Sequence, residues 1–376
     1  MKGKLRNIIK WVVKAVLILL TISYLLSCLT PYIDPKYGAI WTMLSLSFPI
    51  LFLLMTMVCF LLLIFRRKLF LISLFIIALG YKNINSCFAY QFFTSSKIEG
   101  GNKIKILSWN VDDFIYELQP SLADKKKRLK MLLFIKNTNA DIICLQDNAF
   151  CFEPKLPNDV KDIQTMGYPY YKLSEDYYSR GKNTRKYGTA IFSKYPILSS
   201  DTINYKGVNY ESLLYADIKI KNRVVRVFTT HLRSMLLHYQ KYFSGEDYGM
   251  LQEDTSNIFE KSTLHKLIYF DQKHTEQSMV ARQVMDTTKL PFIFCGDLNS
   301  VPSSFVYHHL SKGLKDAFLA KGKGLGKTYS ELSPTLRIDV MFTTSDIEVV
   351  NYQSPKLALS DHYPIIVDLN IPQLNN

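Results

Sequence analysis

One short stretch of the sequence carries residue types suited to acid–base chemistry. The apolar run 292–295 is followed by Gly296, and then by Asp297 and Asn299. In a β-strand, residues two apart point to the same face, so the carboxylate and the carboxamide would lie side by side. Pro302 favours a turn soon afterwards, which would leave the pair at the mouth of a strand. Because Asp and Asn are also common turn residues, this stretch alone does not separate catalysis from structure.

Other apolar runs also end beside polar side chains. The polar residues at these strand ends are Asn110, Asp147, His231, Asp297, Asn299 and His362. Taken singly, each has a structural explanation, since a lone histidine is more often a satisfied core residue and an aspartate at a turn is usually a cap. Strands that share a direction bring their ends to one edge of a sheet, and convergent polar groups there indicate a functional site.

The elements that must position these residues lie beyond about residue 100. Short β-type runs at 104–109, 141–145 and 188–193 are separated by turns and by helical periodicity at 125–136. A hairpin is predicted at 213–230, and a helix at 276–288. The Tyr- and Lys-rich segment 151–187 is predicted to be a loop region. The long polar segment 235–275 is predicted to be loop and short helix that cap one side.

The first quarter of the chain is apolar enough to enter a membrane. Runs at 11–29 and 39–65 are followed by a weaker run at 69–81. The second run is long enough to cross a bilayer with some tilt. A cleaved signal peptide would explain only the first run, so an anchor of several spans is the simpler account. We predict a membrane anchor of two to three transmembrane helices over 1–98 and a catalytic domain over 99–376.

Basic residues predict which way this anchor is oriented. They precede the first run and follow the second, at Lys2, Lys4, Arg6, Lys10, Arg66, Arg67 and Lys68. Lys and Arg are enriched on the cytoplasmic side, so both of these ends are expected there. If the third run crosses, the protein is multi-pass in the inner or plasma membrane and its catalytic domain is extracytoplasmic.

Composition excludes little else. The formal charge of +14 fits an anionic partner such as nucleic acid or a lipid surface, but equally a domain kept soluble by its lysines. The six cysteines include no CxxC pair, so a Cys-based zinc site is not expected.

Seven short motifs resemble, in order, those of the endonuclease/exonuclease/phosphatase superfamily. They are Ser108-Trp109-Asn110, Leu145-Gln146-Asp147, the run at 188–193, Thr230-His231-Leu232, Gly296-Asp297-Leu298-Asn299, Arg337-Ile338-Asp339 and Ser360-Asp361-His362. The resemblance covers about 103–371 and takes in DNase I-like nucleases, abasic-site endonucleases, inositol polyphosphate 5-phosphatases and neutral sphingomyelinases. It implies an α/β (α+β) fold, a four-layer αββα sandwich of two packed mixed sheets.

The resemblance also implies roles for individual residues. The implied catalytic residues are His231, Asp297, Asn299, Asp339 and His362, and the implied metal shell is Asn110, Asp147 and Asp361. Asp297 would position or deprotonate water, and Asp339 would orient His362. Oxygen ligands suit Mg²⁺ or Mn²⁺. Asp147 stands where the family usually has Glu, and its shorter side chain reaches the metal less far.

The implied activity is hydrolysis of a phosphoester, either in nucleic acid or in a phospholipid or inositol-phosphate headgroup. Arg233, Lys186 and Tyr187 are the candidate substrate-binding residues. Expected partners are this substrate and the bilayer, with no protein partner inferred. The alternative, suggested by Asp147, is a membrane-tethered binding or scaffold protein that keeps the fold without turnover.

Overall fold

The computed structural model describes residues 2–90, 101–114, 121–151, 158–179, 185–205, 211–234, 263–331 and 333–372. The strands are β1 (Asn102–Asn110), β2 (Ile142–Cys151), β3 (Tyr170–Leu173), β4 (Tyr177–Ser179), β5 (Arg185–Ser193), β6 (Ile197–Asn204), β7 (Ser212–Ile220), β8 (Arg223–His231), β9 (Phe292–Asp297), β10 (Lys315–Asp316), β11 (Asp339–Thr343), β12 (Glu348–Gln353) and β13 (Ile365–Ile371). The α-helices are α1 (Lys2–Ser27), α2 (Ala39–Phe65), α3 (Arg67–Leu79), α4 (Tyr81–Cys87), α5 (Leu122–Thr138), α6 (Asp159–Thr165), α7 (Thr263–Thr287), α8 (Phe305–Leu310) and α9 (Ala317–Lys321).

The strands form two mixed sheets. The first has the order β12-β13-β1-β2-β5-β3, with β4 also paired to β5, and the second has the order β10-β11-β9-β8-β7-β6. Only one neighbouring pair in each sheet is parallel among the described strands, β1 with β2 and β8 with β9. Parallel neighbours run in the same direction, so their C-terminal parts lie at the same edge of the sheet. There, Asn110 is the register partner of Gln146, and His231 is the register partner of Asp297.

The sheets pack face to face, with helices on both outer sides. Ile106, Ile142 and Ile191 of the first sheet meet Val227 and Cys295 of the second in one buried cluster. The outer face of the first sheet is covered by α5 and α6, and that of the second by α7 and α8. The predicted four-layer αββα sandwich is therefore confirmed.

Local sequence signals account for several of these elements. The hairpin predicted at 213–230 is confirmed as β7 and β8, joined by a turn in which Lys221 has a φ of 53°. α5 begins with a capping box between Ser121 and Asp124 and ends at Asn139 in the left-handed conformation.

Two segments predicted to be mainly loop contain more regular structure than expected. α6, β3 and β4 lie within 151–187, and Tyr168 is buried there with its hydroxyl donating to Ala140 O at 2.7 Å. α7 begins at Thr263, thirteen residues before the predicted start of that helix, while 235–262 lie outside the described residues. Both segments have many polar residues and only a short row of buried apolar residues that pack on the sheets, so their periodicity in the sequence is weak.

The N-terminal helices fit membrane anchoring. Gly3–Ser27 and Ala39–Phe65 are each long and apolar enough to cross a bilayer. Lys68–Leu79 and Tyr81–Cys87 meet the same test only as a pair, bent by 62° at Gly80. A Cβ at Gly80 would collide with the hydroxyl of Tyr24, so the glycine lets α1 approach closely.

Candidate active site

Asp297, the last residue of β9, lies at the centre of the converging polar groups and is fully buried. Its Oδ2 accepts a hydrogen bond from Asn110 Nδ2 at 3.0 Å, and its Oδ1 accepts one from the backbone N–H of Asn299 at 2.9 Å. The preceding Gly296 allows β9 to lie close to β8, because a Cβ there would be 2.7 Å from Thr230 O. Asp297 thus joins the two sheets at their common edge.

Two imidazoles face the same carboxylate oxygen. His231 Nε2 and His362 Nε2 each lie 3.6 Å from Asp297 Oδ2. Burial lowers the pKa of His231, although Asp297 partly opposes this. Its neutral form, which can still donate one N–H, is favoured.

His362 is held by a carboxylate on its other nitrogen. Its Nδ1 lies 2.9 Å from Asp339 Oδ2, and both side chains are buried. Burial opposes the charged imidazole, but Asp339 and Asp297 outweigh it and raise the pKa of His362 to about 10. Trp109 Nε1 also donates to the backbone carbonyl of His362 at 3.0 Å, which fixes the loop before β13. His362 is therefore oriented as a proton-bearing group.

A group of acids lies beside this centre. Asp112 follows β1 and Asp361 precedes β13. Asp147 was expected at the end of its strand but lies within β2, where the pairing with β5 is interrupted between Leu145 and Asn148. Burial, with the negative charges of Asp112 and Asp361, raises the pKa of Asp147 to about 7. Asp112 also donates its backbone N–H to Asn110 Oδ1 at 3.1 Å. Burial likewise raises the pKa of Asp297. Burial and mutual repulsion oppose the ionisation of these neighbouring carboxylates. A divalent cation bound between them would favour their ionised form.

The structure also brings three potential metal-ligating atoms together within 4.8 Å of one another, on Asp297, Asp339 and His362. This set differs from the metal shell of Asn110, Asp147 and Asp361 implied by the resemblance. Asp361 Oδ1 lies 4.0 Å from His362 Nε2, so the two groups adjoin. Oxygen-rich donors fit Mg²⁺ or Mn²⁺ better than a soft metal.

The predicted substrate-binding residues have intramolecular contacts. Arg233 is 7% exposed, and its Nη1 pairs with Glu211 Oε1 at 3.0 Å. Lys186 Nζ pairs with Glu175 Oε2 at 2.8 Å. Tyr187 lies beside it in β5, opposite Ala149 of β2. Their roles in substrate binding stay predictions.

Sequence reasoning named neither Asp112 nor Gln146 as a site residue. Asp112 has a φ of 46° in the turn after β1 and lies in the acidic group around Asp147. Gln146 is buried, and its Nε2 donates to Ser108 Oγ at 3.1 Å and to Thr229 Oγ1 at 2.9 Å, tying the sheets together. The signal for Asp112 was its spacing of two from Asn110, the same spacing as Asp297 and Asn299.

An open pocket of about 320 Å³ adjoins the acidic group. Its charged lining residues are the acids Asp112, Glu331 and Asp361 and the bases Lys127 and Lys356. Such a concave surface beside convergent polar groups is a candidate binding pocket.

Sequence comparison agrees with this geometry. Residues 107–362 match the sequence profile of the Endonuclease/Exonuclease/phosphatase family, and residues 9–87 match that of a domain of unknown function (DUF8431). The first match covers more than half of the chain, so this protein belongs to the Endonuclease/Exonuclease/phosphatase family.

Individual relatives are more distant. A sphingomyelinase from Dictyostelium discoideum is 30% identical over 109 residues, which are 25% of this chain and 24% of that protein. The chain therefore matches only about a quarter of that relative's length. An endonuclease/exonuclease/phosphatase from Beutenbergia cavernae is 18% identical, with a TM-score of 0.51 over 72% of each chain. The human nocturnin catalytic domain is 17% identical, with a TM-score of 0.50 over 72% of this chain and 93% of that one. These structures share the fold.

Proposed function

We propose that the chain is a membrane-anchored, divalent-metal-dependent hydrolase of phosphoester bonds. The observation that carries this proposal is the convergence of two histidines and Asn110 on the single carboxylate of Asp297, beside the acids Asp147 and Asp361. Hydrolysis of a phosphoester gathers negative charge on the phosphoryl oxygens, so it needs a cation and aligned donors.

Each side chain has a defined task in this proposal. Asn110, Asp147 and Asp361 would hold Mg²⁺ or Mn²⁺, which when bound would neutralise charge on the phosphoryl group. Asp297 accepts a proton from the attacking water, and Asn299 orients that water. His231 donates an N–H to a phosphoryl oxygen. His362, kept protonated by Asp339, donates to the phosphoryl group or the leaving oxygen.

The packing of the anchor supports an extracytoplasmic catalytic domain. The C-terminal end of α1, the N-terminal end of α2 and the end of α4 all contact that domain, through Thr30, Ser45 and Ser86. The opposite ends of the helices carry the basic residues at 2–10 and 66–68. From Ser45 to Arg66, a helix rises about 31 Å at 1.5 Å per residue, close to the thickness of a hydrocarbon core. With the basic ends in the cytoplasm, three crossings bring the domain outside.

We propose a phospholipid headgroup as the first substrate class to test. The catalytic domain contacts the ends of its own membrane helices directly, so its site is held near the bilayer surface. The local similarity to a sphingomyelinase points the same way. The basic charge of the chain keeps nucleic acid as the second class.

The test uses the full chain in lipid nanodiscs with Mg²⁺, with Mn²⁺, or with EDTA. Sphingomyelin, phosphoinositides, plasmid DNA and RNA are supplied in turn, and hydrolysis is compared with that of Asp297→Ala. We expect metal-dependent cleavage of a lipid headgroup that the variant lacks. Cleavage of nucleic acid alone would replace the substrate proposal. No cleavage, together with no Mg²⁺ binding by calorimetry, would favour the scaffold.

Topology has a separate test. A reporter enzyme that is active only outside the cytoplasm is fused after Asn376, and we expect it to be active. A cytoplasmic signal would mean that α3 and α4 do not complete a third crossing.

A further inference from the structure

The loop that leaves the proposed catalytic centre is hydrogen-bonded to the membrane anchor. This loop, residues 298–304, follows Asp297 and ends where α8 begins. Ser303 Oγ donates to the backbone carbonyl of Ser45 in α2 at 2.6 Å. The Thr30 hydroxyl has one hydrogen and two acceptors within reach, Ser303 O at 2.7 Å and Ser27 O at 2.9 Å, and Ser303 O is the nearer. Ser303 is fully buried, and Thr30 is 2% exposed. One residue of the loop is thus held from both sides by the ends of two anchor helices.

The anchor groups that hold the loop are themselves fixed. Asn83 of α4 donates through Nδ2 to Ser27 O at 2.8 Å and to Thr30 Oγ1 at 3.3 Å. Ser45 Oγ donates to Thr42 O at 2.8 Å. Buried polar groups that lose their partners destabilise the fold, so the arrangement resists local rearrangement.

A second route runs through α7. Thr42 Oγ1 donates to Asp271 Oδ2 at 2.5 Å, and both groups are buried. One turn further along α7, His274 Nδ1 lies 3.2 Å from Ser300 Oγ and its Nε2 lies 2.6 Å from Arg233 O. The same helix therefore contacts the anchor, the loop after Asp297 and the segment after His231.

The other side of the loop contacts the site. Asn299 Nδ2 donates to Leu232 O at 2.8 Å, and Leu298 N donates to Ile338 O at 2.9 Å. The position of Asn299 relative to Asp297 is consequently set between the catalytic domain and the anchor.

We infer that Thr30 and Ser303 are positioning residues, through which the membrane anchor holds the loop carrying Asn299 in its active geometry. Neither side chain belongs to the proposed catalytic or metal-binding residues. The inference rests on the proposed function for its kinetic effect, but not for its structural effect. A loop displaced by about 1 Å lowers the rate of the chemical step by up to about 100-fold.

The chain offers well-matched variants for a test in nanodiscs. Thr30→Val keeps the branched shape and removes the donor to Ser303 O, whereas Thr30→Ser keeps that donor. Ser303→Ala removes the bond to Ser45. Ser304→Ala is the neighbouring control, because Ser304 Oγ caps α8 by accepting from Tyr307 N and makes no bond to the anchor in the described residues.

Two measurements separate the inference from the proposed function. Hydrogen exchange at the amides of 298–304 should speed up about 10-fold in Thr30→Val and Ser303→Ala. On whichever supplied substrate the nanodisc assay shows to be hydrolysed, kcat should fall about 10-fold in these two variants while KM stays within twofold. Thr30→Ser and Ser304→Ala should stay near wild type in both measurements.

Unchanged exchange and unchanged kcat in Thr30→Val and Ser303→Ala would overturn the inference. So would a rise in KM without a change in kcat, because the anchor would then affect binding only. If wild type shows no metal-dependent hydrolysis, the proposed function fails, and the exchange rates alone still decide whether the anchor holds the loop.

Discussion

Asp297→Asn is the sharpest test of the proposed chemistry, because it preserves shape and removes only charge and proton-accepting capacity. In wild type, Oδ2 accepts from Asn110 and Oδ1 accepts from the backbone of Asn299. An amide has one oxygen and one NH₂, so either orientation places a donor against a donor. One hydrogen bond is lost whichever way the new amide points.

The expected loss of activity follows from the role of the carboxylate. A positioned general base contributes about 10²- to 10⁴-fold to the rate, equivalent to about 3–5 kcal/mol of transition-state stabilisation. The donor–donor contact destabilises the fold by about 1–3 kcal/mol. Burial raises the pKa of Asp297, so removing its charge offsets part of that loss. Activity should therefore fall much further than stability.

The assay measures kcat at saturating Mg²⁺ and thermal unfolding of the same nanodisc preparation. Asp217→Asn is a matched control, since Asp217 is a buried aspartate of the same sheet that pairs with Arg226 through both oxygens. The control should lose stability but keep kcat within about threefold. An Asp297→Asn enzyme that keeps more than about a tenth of wild-type kcat would refute the assignment of Asp297 as base.

Further predictions concern the metal, the buried ion pair and pH. Asp147→Glu should bind Mg²⁺ at least as tightly as wild type by calorimetry, because its side chain is longer, and weaker binding would contradict this. Its free energy of unfolding should fall by about 1 kcal/mol, because Asp tolerates the φ of 48° at this position better than Glu. Arg337→Met should destabilise the protein by about 3 kcal/mol in denaturant unfolding. The buried Arg337 pairs with Asp316 at 2.7 Å, and an unfolding free energy within 1 kcal/mol of wild type would count against the pair. Burial raises the pKa of Asp271 to about 6, so the folded state holds that proton more tightly than the unfolded state and stability is lost as pH rises from about 4 to 6. The free energy of unfolding of Asp271→Asn minus that of wild type should therefore be about 3 kcal/mol larger at pH 8 than at pH 4. An equal difference at both pH values would contradict this prediction.

Strands whose apolar run ends in a polar side chain could be predicted from the sequence. β1 and β9 are apolar runs that end in polar side chains, and the parallel pairing of each with a neighbour brings those ends together. The resemblance to a family supplied the partner of His362, which no spacing rule would have linked to Asp339. The family and the four-layer fold are confirmed, whereas the roles of the individual site residues stay predictions.

Contacts between distant hydroxyls could not be predicted in this way. Ser303 and Ser45 are 258 residues apart, and a serine at either position is equally compatible with a turn or an exposed helix end. The same holds for Thr42 and Asp271. Such pairs are set by how the anchor packs on the domain, a tertiary property that local periodicity does not encode.

The close contact between anchor and domain has a consequence for biogenesis. Ala89, just after α4, exchanges backbone hydrogen bonds with Gly324, and the guanidinium of Arg337 donates to Ser86 O at 2.7 Å. The N-terminal helices are synthesised first, so Ser86 and Ala89 are available before residues 324 and 337 emerge. The later part of the chain then completes its folding on a surface the membrane helices already present. If the N-terminal helices were misplaced, Arg337 would lack one of its hydrogen-bond partners and the fold would be incomplete.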